Sequence, residues 1–302
     1  MKGDIREYAK LGLVHHLLYP ECGDDPQLHA ETLLDFIKRM DIGTFDCCLP
    51  YGDKYRKKLI PAIRKCGKSC CFAIHFYPFR GLPLAAKTPA NHAQTWMILD
   101  DMIEQAAAIG AEGFIFGAGT PSFYDAKPED FEAFDDFCDE LCAKLKAHNM
   151  TAMLEPFDMD SDKKFLYGPI DECVKLAKKM RTKHENFGFE LDMGHLPLMR
   201  EDFRTAIEKC APYLKRVHLG NCVLKNKDNP RWGDTHPPIG FDGGEIDIPE
   251  LVVILRALFD CGYLDKNNRG NLLIEMTTFP GKTVDETVND NFERLEKAWV
   301  IT

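Results

Sequence analysis

Phe187-Gly188-Phe189-Glu190-Leu191-Asp192-Met193-Gly194-His195 is a short apolar run that carries two acids and closes on a glycine and an imidazole. A run of this length and apolarity suits a strand buried on both faces of a parallel sheet. Working outward, the same design recurs. Upstream, 152–156 reads Ala152-Met153-Leu154-Glu155-Pro156; downstream, 214–219 ends Arg216-Val217-His218-Leu219 and 272–276 ends Leu273-Ile274-Glu275-Met276. Further short apolar runs fall at 11–18, 44–49, 70–77 and 113–116. Helical patterns separate them at about 27–40, 54–66, 90–109, 128–148, 169–182, 201–211, 248–261 and 283–299. Asp130, Asp171 and Asp285 fall in or near first turns, where a carboxylate favours the helix dipole. Gly43, Gly67, Gly110 and Gly262 fall just past helix ends, where a left-handed residue is expected.

Eight strand–helix units in 302 residues average roughly 38 residues each, the spacing of a (β/α)8 TIM barrel. The expected organisation is one such barrel over residues 1–302. A doubly wound open sheet would normally show a Gly-x-Gly-x-x-Gly turn after an early strand, and the chain has none. The longest irregular stretch, 221–247, is rich in Pro, Gly and Asp and follows the seventh strand. An enlarged loop there is expected to be functional.

Composition narrows the function classes. Hydrophobic residues make up 45% and charged residues 28% of the chain. No apolar run approaches the roughly 20 residues of a membrane span, and 1–7 carries acids where a secretory signal would be apolar. Acids outnumber Lys plus Arg by 48 to 38, a net charge of -10 that repels a nucleic-acid backbone. The twelve cysteines include the neighbours Cys47-Cys48 and Cys70-Cys71 but no Cys-x-x-Cys. They read as reduced core residues of a cytoplasmic protein.

In a parallel barrel the carboxyl ends of the strands converge on one face. Four consecutive strand ends there place Glu155, Asp192, His218 and Glu275 at one level. Each alone reads as a polar rim residue. Burying three carboxylates beside an imidazole without a cation would cost several kcal/mol per charge. One divalent metal ion resolves the conflict. The oxygen-rich donor set favours Mn2+, with Mg2+ or Co2+ as substitutes.

Glu-Pro on the fifth strand, Leu-Asp-Met-Gly-His on the sixth, Val-His-Leu on the seventh and Ile-Glu on the eighth together resemble the xylose-isomerase-like TIM barrels. That superfamily includes sugar phosphate isomerases and epimerases, ketose 3-epimerases, hydroxypyruvate isomerases and endonuclease IV, and the resemblance covers nearly the whole chain. It implies metal ligation by Glu155, Asp192, His218 and Glu275, and a hydrogen bond from His195 to a substrate oxygen. It also implies that Glu155 and Glu275 face opposite sides of the substrate as the acid–base pair. A sugar carbonyl beside a hydroxyl would then enolise on the metal. Returning the proton to the other face epimerises; returning it to the neighbouring carbon isomerises. The expected partner is a small-molecule sugar or glycoside, with no nucleic acid and no membrane, in an oligomer with or without a second, different subunit.

Departures from the pattern leave alternatives open. Ketose 3-epimerases usually carry an Arg soon after the seventh-strand His; here Gly220 to Lys225 contain none. That absence and the long loop favour a lyase that cleaves 3-oxo-glycosides by β-elimination, resembling the larger subunit of C-glycoside deglycosidases. Asp234-Thr235-His236 in the loop resembles the extra metal ligands of endonuclease IV. The fourth strand end, Phe116-Gly117-Ala118-Gly119, lacks the imidazole that relative needs. A non-catalytic sugar binder is the reading from another class. His75, His16, His236 and Trp232 are candidate substrate contacts beside His195, with Phe157 a second stacking aromatic. His15 and His16 lie in the first strand run, where alternation lets at most one face the mouth. His29, His92, His148 and His184 are expected to be solvated.

Overall fold

A computed structural model describes residues 3–74 and 84–302. Its strands are β1 Ala9–Val14, β2 Thr44–Cys47, β3 Ser69–Ala73, β4 Gly113–Gly117, β5 Thr151–Glu155, β6 Phe187–Asp192, β7 Leu214–Leu219 and β8 Gly270–Ile274. Each pairs in parallel with its sequence neighbour, and β8 closes on β1 with Leu13 opposite Ile274. The helices among the described residues are α1 His15–Leu18, α2 Pro26–Phe36, α3 Asp53–Lys65, α4 Pro89–Ile109, α5 Pro128–Lys146, α6 Ile170–Met180, α7 His195–Met199, α8 Phe203–Cys210, α9 Ile248–Asp260 and α10 Val284–Ile301. The result is a single-domain (β/α)8 TIM barrel, as the alternation of runs predicts. No described helix is long and apolar enough to cross a membrane.

Local chemistry sets the boundaries. Asp25 caps α2 by accepting from the amides of Gln27 and Leu28, and Thr88 caps α4. Reciprocal capping boxes start α9 (Asp247 with Glu250) and α10 (Thr283 with Glu286). Asp130, Asp171 and Asp285 occupy first turns as expected. Gly67, Gly110 and Gly262 are left-handed, at φ near +75 to +79°. Gly43 is not; it runs into β2 and donates to the Leu11 carbonyl, because α2 has already ended at Phe36, seven residues upstream.

Strand alternation divides the interior in two. Phe72, Phe114, Phe116, Leu154, Phe187 and Phe189 point outward into the main core shared with the helices. Cys71, Ala73, Ile115 and Met153 point inward and form a separate apolar cluster inside the barrel. All twelve cysteines are free thiols, most of them buried. Gly12 lets β1 approach its neighbours: a Cβ there would lie 2.5 Å from the Thr44 carbonyl oxygen and 2.8 Å from Leu273 Cγ.

The first run is not a strand to its end: β1 stops at Val14, and His15 and His16 begin α1. Both imidazoles are buried, but helical geometry sends them apart. His15 stacks on Tyr19 and on His29, and bonds Thr32 Oγ1 at 3.1 Å. His29, expected in water, is therefore buried in that stack.

Candidate metal and active site

The carboxyl ends of β5 to β8 bring Glu155, Asp192, His218 and Glu275 together, each at most 2% exposed. Ligand atoms of Glu155, Asp192 and Glu275 lie within 4.8 Å of one another, as do those of Glu155, Glu190 and His218. His218 Nδ1 is 2.7 Å from Glu275 Oε2 and 3.4 Å from Glu190 Oε1. Burial pushes the Glu155 carboxyl up to about 8 and Glu190 well above its ordinary range, and it raises Asp192 as well. Each of these acids is also opposed by its acidic neighbours. Burial disfavours a charged His218, yet Glu190 and Glu275 hold it well above the usual imidazole range.

The donor set fits a divalent cation. Asp192 Oδ2 and Glu190 Oε2 are buried without a hydrogen-bond partner. Buried polar atoms are seldom left so, and hard oxygen donors crowded around one imidazole are the usual surroundings of such an ion. Asp192 is aimed by its other oxygen, which accepts from the amides of Gly194 (2.9 Å) and Gly220 (2.8 Å).

A second group adjoins the first. His195 opens α7; its Nδ1 donates to the Pro156 carbonyl at 3.0 Å. Its Nε2 lies 3.3 Å from both Asp192 Oδ2 and Asp234 Oδ1, aligned with neither. His236 Nε2 is 2.9 Å from Asp234 Oδ1, while its Nδ1, 3.7 Å from Asp192 Oδ2, has no hydrogen-bond partner. Asp234 is held well below the usual carboxylate range: burial opposes its charge, but His236 and His195 outweigh it. Lys163 Nζ adds an ion pair to Asp234 Oδ2 at 3.0 Å. His236 is left-handed at φ +46°, a strained conformation for a residue with a Cβ. Its carbonyl accepts from the Thr277 amide at 2.7 Å, which pins the loop to the end of β8.

The loop between β7 and α9 is thus a built part of the site. Asn221, fully buried, staples it by donating to the Pro238 and Ile246 carbonyls and accepting from the amides of Cys222, Glu245 and Ile246. Phe157 lies against His195 with ring centroids 4.2 Å apart. His16 Nε2 reaches to 4.0 Å from Glu275 Oε1. Trp232 is half-buried in the loop with the Lys227 ammonium 5.9 Å over its ring. Lys225 turns outward to the Gly244 carbonyl and Glu245. His75 lies outside the described residues.

Three ionisable residues escape a reading confined to strand ends. Asp46 on β2, Glu190 on β6 and Arg216 on β7 are wholly buried inside the barrel. Arg216 Nε donates to Asp46 Oδ2 at 2.8 Å and Nη2 lies 2.8 Å from Asp46 Oδ1. His218 Nε2 meets Asp46 Oδ2 at 2.7 Å. The available signal was the strand period of two: Glu190 precedes Asp192, and Arg216 precedes His218, by two residues.

Residues 34–285 match the family model described as the xylose isomerase-like TIM barrel. No curated protein matches the sequence. Among solved structures, a D-tagatose 3-epimerase-like protein shares 16% identity and a TM-score of 0.71, over 96% of this chain and 98% of the other. The 3-keto-D-glucoside 4-epimerase YcjR from E. coli shares 14% and 0.68, over 96% and 99%. A D-psicose 3-epimerase from Clostridium cellulolyticum H10 shares 16% and 0.64, over 97% of each chain.

Proposed function

The chain belongs to the xylose isomerase-like TIM-barrel family, and from that premise we propose that it is a divalent-metal-dependent enzyme that epimerises or isomerises a sugar. The observation that carries the reading is the meeting of Glu155, Asp192 and Glu275, from three separate strands, in one buried cluster beside His218. Those four residues would hold the ion, Mn2+ by preference and Mg2+ or Co2+ otherwise. When bound, the cation supplies positive charge against which a sugar carbonyl and its neighbouring hydroxyl can build negative charge.

Proton movement falls to Glu155 and Glu275, the carboxylates at the ends of β5 and β8. One removes the C–H proton beside the carbonyl and the other returns it, on the opposite face for an epimerase. His195 is fixed by its bond to Pro156 and turns Nε2 into the cluster, where it can orient a substrate hydroxyl. His236 offers Nδ1 from the loop side, and His16 lines the β8 side. Trp232 and His75 complete the proposed substrate contacts. Phe157 against His195 and the loop held by Asn221 would shield the reacting carbons from water.

The test is a panel of keto-sugars incubated in deuterium oxide with Mn2+. Solvent deuterium should enter the recovered ketose and its product. Glu155→Gln and Glu275→Gln should each slow exchange by about 10²–10⁴-fold. No exchange with any member of the panel overturns the reading.

A 3-oxo-glycoside substrate is the second reading. It is favoured by the outward turn of Lys225, which leaves 220–225 without a cation for a ketose oxygen. The likeness to a 3-keto-D-glucoside 4-epimerase is in keeping with it. Under that reading a lyase would release aglycone from a 3-oxo-glucoside, whereas an epimerase would return an isomeric glycoside of unchanged mass.

A further inference from the structure

A buried charged group lies two residues before the proposed ligand His218 on β7. Arg216 is wholly buried, and it spans from β7 to β2, two strands that are not neighbours in the sheet. Its guanidinium engages both oxygens of Asp46, with further bonds to Thr44 Oγ1 at 2.8 Å and the Phe45 carbonyl at 3.2 Å. The Cys71 amide adds a bond to Asp46 Oδ1 at 3.2 Å. A carboxylate gripped on both oxygens by an arginine is an acceptor only. His218 Nε2, 2.7 Å from Asp46 Oδ2, must therefore be the donor in that pair.

We propose that Asp46 and Arg216 are positioning residues that hold His218 with Nε2–H toward Asp46, so that Nδ1, which meets Glu275 Oε2 at 2.7 Å here, is the nitrogen whose lone pair a bound cation would take. A buried ion pair of this kind costs desolvation and is weak support for stability. Its geometry instead fixes the ring orientation and basicity of a ligand histidine. The side of the ring left over is the side that faces Glu275 and Glu190. The inference rests on the reading of His218 as a ligand, and it adds two residues, one on β2 and one on β7, that touch neither substrate nor cation.

The direct measurement is the nitrogen-15 histidine spectrum of the wild-type protein saturated with Mg2+. The expected result is a neutral His218 protonated at Nε2; a neutral ring protonated at Nδ1 overturns the proposal. Mn2+ affinity by titration calorimetry supplies the second readout. Asp46→Asn, and the double variant Asp46→Asn/Arg216→Gln that removes both charges together, should bind Mn2+ roughly 10- to 100-fold more weakly. Thermal unfolding accompanies both, so that a variant that fails to fold is recognised and the wild-type spectrum decides. Unchanged affinity in a folded variant, with His218→Gln still weakening it, overturns this inference while leaving the ligand set intact. Wild-type protein that binds no Mn2+ overturns both.

Discussion

Gly220 shows how one residue can decide the geometry of the cluster. Its amide donates to Asp192 Oδ1, and a Cβ at this position would lie 2.5 Å from Asp192 Oδ2. Gly220→Ala should therefore push the carboxylate out of the cluster, with Mn2+ affinity falling at least about tenfold for a loss of about 1–3 kcal/mol in stability. Calorimetric titration and denaturant unfolding read the two effects separately; an unchanged affinity would refute the steric argument. His29 gives a different kind of test. Burial against His15 lowers its imidazole from 6.5 to about 4. The unfolded chain takes up this proton near 6.5 while the folded chain refuses it. Stability is thus complete above pH 6.5 and drains as the pH falls toward 4, by about 1.4 kcal/mol per unit for this group. Unfolding curves across that window should show the loss, and His29→Phe should reduce the slope. An identical slope in the variant would clear His29 of the effect.

At the scale of elements, the loop between β7 and α9 depends on Asn221 more than on its own length. Five hydrogen bonds converge on that side chain, so Asn221→Ala strands buried carbonyls and amides. The expected cost is about 2–4 kcal/mol, with faster amide exchange at Glu245 and Ile246 and loss of His236 from the site. Amides at 245 and 246 that stay as protected as in the wild type would show that the loop is held otherwise. Which elements were legible in the sequence follows from what each depends on. Continuous apolar runs and capped helices are local features, so the strand and helix alternation could be read directly. The end of β1 could not, because His15 and His16 are short of any stop signal and are drawn into α1 by burial. The strand-end quartet was legible because four runs repeat one design. Asp46 was not, because its meaning comes from Arg216, 170 residues away across the barrel. Asp234 stands two residues before His236 in the sequence, but its ion pair with Lys163 joins two loops that no local pattern connects.

At the scale of the whole molecule, the acids near the mouth set the balance. Glu155, Glu190, Asp192, Asp234 and Glu275 are all buried, and the groups that face them are Lys163 and the imidazoles His195, His218 and His236, whose proton affinity the acids raise. A chain of net charge -10 gives these carboxylates no relief from its surface. A divalent cation that binds only the folded state should stabilise the barrel by about 2.7 kcal/mol at a hundredfold excess over its dissociation constant. For a domain of this size that corresponds to a rise in Tm of roughly 4 °C. Thermal unfolding in EDTA and across a Mn2+ titration measures it, with NaCl at matched ionic strength to separate binding from screening. The rise should follow the logarithm of Mn2+ concentration above saturation and disappear in a Glu155→Gln/Glu275→Gln double variant. A rise of the same size in that variant, or one reproduced by NaCl, would place the ion elsewhere on the surface and remove the physical reason for burying four strand-end side chains of this kind together.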